Sequence, residues 1–129
     1  MTYVDGFVLP VPKDKLDAYK AMAEMGGKMW MECGALSYKE CVIEDPNPQP
    51  PEGTPAKFSP MHFPDLAGAK EGETVIFAFV TYKSREHRDE VNKKVHEKMA
   101  ELCGSGEDFD MPFEMNRMAY GGFKAFVDL

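Results

Sequence analysis

The sequence has little of what marks a metal, redox or nucleotide site. Cysteine is scarce: Cys33, Cys41 and Cys103 are the three in 129 residues. None stands in a Cys-x-x-Cys pair, and an odd number cannot pair fully within one chain. Reduced thiols in a cytoplasmic protein are therefore expected, not a disulfide framework. Cys33 and Cys103 fall at expected helix C-termini, where the helix dipole disfavours a thiolate, so nucleophilic cysteine chemistry is not expected. His62, His87 and His96 show no His-x-His or His-x-x-x-His spacing. No metal and no cofactor is expected on that ground. Gly-x-Ser-x-Gly and the glycine-rich phosphate loops are also absent, which removes the usual sequence support for serine hydrolases and nucleotide binders.

Long apolar runs and concentrated positive charge are missing too. No apolar stretch approaches membrane-spanning length. The N-terminal run Phe7-Val8-Leu9 stops at Pro10 and follows no basic segment, so neither a signal peptide nor a membrane partner is expected. The net charge is −7, and an acidic surface repels phosphate. The basic residues Arg85, Arg88, Lys93, Lys94 and Lys98 are interleaved with Glu86, Asp89, Glu90, Glu97 and Glu101. That pattern reads as a solvated mixed-charge helix face and argues against a nucleic-acid partner.

What is present describes a single globular α+β domain over residues 1–129. Tyr3–Leu9 reads as a strand ended by Pro10-Val11-Pro12. Lys13–Cys33 reads as a helix with Leu16, Tyr19, Ala23 and Trp30 on one stripe, Asp14 as its cap and Gly34 as its stop. Gly26-Gly27 inside it predicts a kink or a close backbone contact. Ala35–Ile43 reads as a second strand. Seven of the ten prolines lie between residues 46 and 64, which excludes a central strand or long helix there and predicts an irregular excursion over about 45–72. Glu73–Tyr82 is the strongest strand. Ser84 caps a second long helix to about Leu102, with Val91, Val95, Met99 and Leu102 as its buried stripe, and Gly104-Ser105-Gly106 breaks it. Arg117–Val127 is the last strand, in which Gly121-Gly122 marks a bulge or a close approach. The order is a ferredoxin-like βαββαβ arrangement with a four-stranded antiparallel sheet.

Such a sheet, with helices on one face, should alternate apolar and polar residues. Val75-Ile76-Phe77-Ala78-Phe79-Val80 does not. Both faces therefore need cover, and two long helices supply one. A homodimer pairing sheet on sheet is the expected second cover, with the proline-rich excursion as the competing one.

Several segments also carry a family likeness. Tyr3-Val4-Asp5-Gly6-Phe7-Val8, Gly34-Ala35-Leu36, Glu40-Cys41, Tyr82-Lys83-Ser84, Arg88-Asp89, Asn92, Met111-Pro112-Phe113 and Arg117 through Phe123 resemble the YbaA-like group of short bacterial proteins of unknown function. The likeness spans nearly the whole chain outside the excursion. It implies membership of the dimeric α+β-barrel superfamily and pairing as a dimeric barrel. The group brings no established activity. The superfamily includes cofactor-free monooxygenases, isomerases and ligand sensors.

Candidate site residues come from the pattern. Asp5 shares a strand face with Tyr3 and Phe7, and a carboxylate there needs a partner. Arg117 and Lys124 are the expected cations. Met22, Met25 and Met29 at helical spacing are core filler, or one wall of an adaptable pocket for a flat apolar ligand. Tyr3, Trp30, Phe77, Phe79 and Arg117 are the expected ligand contacts. Three functions remain open: binding of a small apolar or aromatic molecule between sheet and helices, cofactor-free oxygenase or isomerase chemistry with Asp5, His87 and Tyr120 as acid–base groups, and a structural dimer without chemistry.

Overall fold

A computed structural model describes residues 2–103 and 111–129. Its strands are β1 (Tyr3–Pro12), β2 (Ser37–Val42), β3 (Glu73–Tyr82) and β4 (Ala119–Lys124), and its helices are α1 (Leu16–Glu32), α2 (Phe63–Ala67) and α3 (Arg85–Cys103). The sheet order is β2-β3-β1-β4, antiparallel throughout. The fold is α+β and consistent with the ferredoxin-like arrangement. The expected helix break at Gly104-Ser105-Gly106 lies outside the described residues.

β1 runs through both early prolines instead of stopping at Leu9. β4 pairs with Tyr3–Val8, so from Leu9 onward β1 has β3 as its sole strand neighbour among the described residues. Proline is tolerated on such an edge because the missing N–H has no second strand to meet. α1 starts later than expected. Lys13–Lys15 forms a 3-10 turn, and the helix begins without any side-chain cap, so Asp14 does not serve as one. α1 ends as expected: Gly34 takes φ 114°, the Ala35 N–H reaches the Trp30 carbonyl and the Gly34 N–H reaches Met31. Those two bonds satisfy carbonyls that the helix leaves open. At the start of α3, Ser84 Oγ accepts the His87 N–H at 3.1 Å.

The pairing register puts Tyr3, Asp5, Phe7, Leu9 and Val11 on one face with Ile76, Ala78, Val80 and Tyr82. α1 and α3 cover this inner face. Leu9, Tyr19, Ala23, Ile76 and Ala78 form one core cluster, and Cys33, Ala35, Val80, Tyr82, Val91 and Val95 form another. Val91 and Val95 are buried as expected, but Met99 and Leu102 are 42% and 72% exposed. The buried stripe of α3 therefore ends at Val95.

The outer face carries Val4, Val8, Val75, Phe77, Phe79 and Phe123. The excursion holds only a 3-10 turn and the five-residue α2. It crosses one end of this face, where Phe63 meets Phe77 edge-on at 6.2 Å and Val75 is buried. The cover is incomplete: Phe77 is still 43% and Phe123 60% exposed, and Val4, Val8 and Phe79 are half-buried. Gly121-Gly122 forms no bulge, because the β1–β4 register is continuous from Tyr3–Lys124 to Val8–Ala119. Its glycines serve close approach instead. A Cβ on Gly122 would lie 2.9 Å from the Tyr3 ring.

Candidate functional site

The inner face and its helices border a cavity of about 480 Å³ that opens to solvent beside Met25, Leu102 and Met115. Phe7, Leu9, Ala78 and Val80 of the sheet form its floor. Met22, Met25, Met29 and Trp30 of α1 form one wall, and Met99, Leu102, Phe113 and Met118 close the far side. Seven of the chain's ten methionines line it. Flexible, polarisable side chains of this kind repack around differently shaped apolar guests. Met22, Met25 and Met29, expected as core filler or as a pocket wall, all line this cavity, and Met22 and Met29 also pack against the core clusters. A second, more open hollow of about 550 Å³ lies on the other side of Tyr19, Ala23, Tyr38 and Glu40, which line both spaces. Its rim is charged, with Asp17, Lys20, Glu24 and Lys28. Of the two spaces, the inner one is bounded mainly by apolar groups of sheet and helix.

Glu40 sits in the partition between the two spaces. Tyr19 Oη donates to one carboxylate oxygen and Tyr38 Oη to the other, each at 2.8 Å. Burial, followed by the charge of Glu40, pushes both phenols far above their ordinary value, so both stay protonated donors. The arrangement depends on Gly27. A Cβ there would lie 2.8 Å from the Tyr38 ring, so α1 can pass this close to β2 only with glycine. Of the two outcomes expected for Gly26-Gly27, the close contact is the one found, and α1 continues unbroken to Glu32.

A polar cluster lies behind Trp30, beyond the end of the cavity. The Trp30 indole N–H is shared between Tyr82 Oη at 3.2 Å and Asn92 Oδ1 at 3.4 Å. Asp5, 1% exposed, is the buried charge of this cluster. Among the described residues, its Oδ1 has no hydrogen-bond partner, and it lies 3.5 Å from Arg88 Nη1. Arg88 spends its own donors on Tyr120 Oη at 3.0 Å and Tyr3 Oη at 3.2 Å. Burial raises the Asp5 carboxyl above its ordinary value; Arg88, Tyr82, Tyr120 and Asn92 pull the other way without cancelling it. Phe7 stacks on Tyr120 at 4.8 Å and joins the cluster to the cavity floor.

A family model described as "Protein of unknown function (DUF1428)" matches residues 2–115. The chain belongs to this family. The uncharacterized protein YbaA of Escherichia coli (strain K12) is 40% identical over 130 residues, covering 99% of each chain. YbaA of Shigella flexneri matches with the same figures. The likeness drawn from the opening and closing motifs is therefore shown, for a family whose function is unknown.

Within this member of the DUF1428 family, the expected site residues separate into groups. Asp5 and Tyr120 come together around Arg88. His87 does not join them: its Nδ1 accepts the Lys83 backbone N–H at 2.9 Å and its ring lies edge-on to Tyr82. Trp30 lines the cavity, while Tyr3 is turned to Arg88. Phe77 and Phe79 stand on the outer face, because the period of two that puts Ala78 and Val80 inward turns them away. Arg117 is at the opposite end of the sheet from Asp5. It binds Glu73 through both carboxylate oxygens at 2.7 and 2.8 Å and the Gly68 carbonyl at 2.8 Å. Lys124 makes no ion pair with Asp5 among the described residues. The cation of Asp5 is Arg88, which the mixed-charge pattern had placed on a solvated face. Its spacing was the overlooked signal: Arg88 precedes Val91 by three residues and Val95 by seven, so it shares their stripe. Glu40 had a signal as well, since it shares a strand face with Tyr38 and Val42. Among the described residues, no group of three or more His, Cys, Asp or Glu side chains could hold a metal ion. Among the described residues, no helix is long and apolar enough to cross a membrane.

Proposed function

We propose that the protein binds a small apolar or aromatic molecule in the inner cavity, between the sheet and α1. The observation that carries this reading is the methionine-rich, 480 Å³ space, lined also by Phe7, Tyr19, Trp30, Tyr38 and Phe113. Its volume lies in the range of small-molecule sites. Transfer of apolar ligand surface into it supplies the driving force, about 25 cal/mol per Å². Acid–base chemistry is the less supported reading. Asp5 does not line the cavity, and His87 is bonded elsewhere.

Trp30 is the only tryptophan and stands in the cavity wall, so its emission reports on occupancy. The neutral probe N-phenyl-1-naphthylamine is expected to bind saturably at one site per chain and to quench Trp30 by energy transfer. Gly26→Leu is expected to reduce that binding. Gly26 opens on the cavity, and a Cβ there meets only Trp30, at 3.9 Å. No saturable change in either signal would reject the reading.

The same proposal pairs the chain with a second copy across the incompletely covered outer face and places it in the cytoplasm. Support for pairing comes from Val4, Val8, Phe77, Phe79 and Phe123, an apolar surface that the excursion covers only at one end. Light scattering should give twice the chain mass, and Phe77→Glu should lower it to one. A single-chain mass for the unaltered protein would reject the pairing.

A further inference from the structure

We infer that the inner cavity selects a cationic guest: an organic ammonium or amine with an apolar body, its charge held against Glu40. This rests on the cavity being a binding site and adds the chemical class of its ligand. Glu40 is the only charged residue lining the cavity among the described residues. No lysine or arginine forms an ion pair with it among the described residues. Its two partners, Tyr19 and Tyr38, are neutral hydroxyls, so they orient the carboxylate without neutralising it. Each oxygen accepts one of these bonds and keeps a further lone pair. On the side of the outer hollow, Lys20 and Lys28 are accompanied by Asp17 and Glu24, and neither lysine pairs with Glu40.

Aromatic rings line the same cavity as this carboxylate, and two of them, Tyr19 and Tyr38, bond to it. Trp30 and Tyr38 lie 6.2 Å apart at a 37° tilt, and Tyr19 meets Phe113 edge-on at 5.6 Å. Phe7 adds a fifth aromatic side chain on the floor. Ring faces attract a cation through their quadrupoles, and the attraction grows where water is excluded. A carboxylate among such rings disfavours an anionic guest by direct repulsion. It disfavours a neutral guest because its charge gains nothing in exchange for lost hydration. A cation with an apolar body satisfies both the charge and the methionine-lined remainder.

The test compares benzyltrimethylammonium with neopentylbenzene, its neutral carbon isostere, by calorimetry and Trp30 emission on the full chain. Phenylmethanesulfonate supplies the anionic arm. The cation is expected to bind roughly tenfold more tightly than the neutral isostere, with the anion weakest. Glu40→Gln, which keeps a hydrogen-bonding side chain of the same shape, should reduce the cation-to-neutral ratio to near one. Equal binding of cation and neutral isostere, or an unaltered ratio in Glu40→Gln, would overturn the inference while leaving apolar binding standing. Absence of binding by all three would overturn both. If Glu40→Gln fails to fold, the ranking of the three probes on the unaltered protein still decides.

Discussion

The β1–β3 ladder carries a carboxylate near each of its ends, and the two are in opposite states. Glu73 pairs in register with Pro12, and Asp5 with Val80. Both face an arginine. Glu73 receives two aligned bonds from Arg117 and a third from the Lys70 backbone N–H at 2.7 Å. Those hydrogen bonds lower its pKa to about 2. Asp5 has Arg88 at 3.5 Å with no hydrogen bond to Oδ1 among the described residues, and burial raises its pKa. A neighbouring cation is thus not enough to favour a buried carboxylate. The number of aligned donors decides against the cost of desolvation. The Glu73–Arg117 pair ties the start of β3 to the turn before β4, whereas Asp5 is held at a net cost, a condition that proteins concentrate near working sites.

The sharpest way to break this comparison is to remove Arg88. Arg88→Ala leaves an uncompensated buried carboxylate, and a urea melt at pH 7 is expected to show a loss of about 3 kcal/mol. The loss should shrink at acid pH and in the Asp5→Asn background, because a neutral side chain needs no cation. Glu73→Gln at the other end should cost less, about 1 kcal/mol, since that pair is partly solvated. Equal losses for the two variants would erase the contrast.

Asp5→Asn is expected to change stability by less than about 1 kcal/mol, toward the more stable side, because it removes a charge whose burial is incompletely repaid. A loss above that size would show the Asp5–Arg88 pair to be stabilising.

The smallest effect is a pair of slopes with pH. The folded pKa of Glu73 lies below its unfolded value of 4.5. Its contribution is therefore complete above that value and is lost as pH falls toward 2. Asp5 has the opposite sign: its folded pKa lies above 3.8. Stability therefore falls as pH rises from 3.8 through the raised value, and the cost is relieved on acidification. Subtracting the Glu73→Gln and Asp5→Asn stability curves from that of the unaltered protein should give difference curves of opposite slope. Matching signs would refute the assignment.

Much of this architecture is legible along the chain, because it depends on local chemistry. Non-alternating Val75–Val80 marks a strand with two apolar faces, and that strand is central. Gly34 marks a helix end because the cap needs a positive φ. The prolines of the excursion exclude long helix and central strand wherever they fall. Membership of the family is carried by contiguous motifs at the two ends of the chain.

Partnership is a different matter, since it depends on distances between elements that no single segment contains. Strand period alone separates Phe77 and Phe79 from Ala78 and Val80, but only the packing of α1 and α3 decides which set meets the inner cavity. Gly27 could have marked a kink; the proximity of Tyr38 makes it a contact. Arg117 and Arg88 were both available to Asp5 by charge. The antiparallel register carries Arg117 to the Glu73 end, and the α3 stripe turns Arg88 inward over Asp5. The sequence by itself determined the strands, the helices and the methionine-rich, acidic composition, because these follow from local conformational preference and side-chain chemistry. The tertiary structure alone decided which carboxylate would be satisfied, which would be strained and which would face the cavity, because desolvation and hydrogen-bond alignment exist only once the elements are packed.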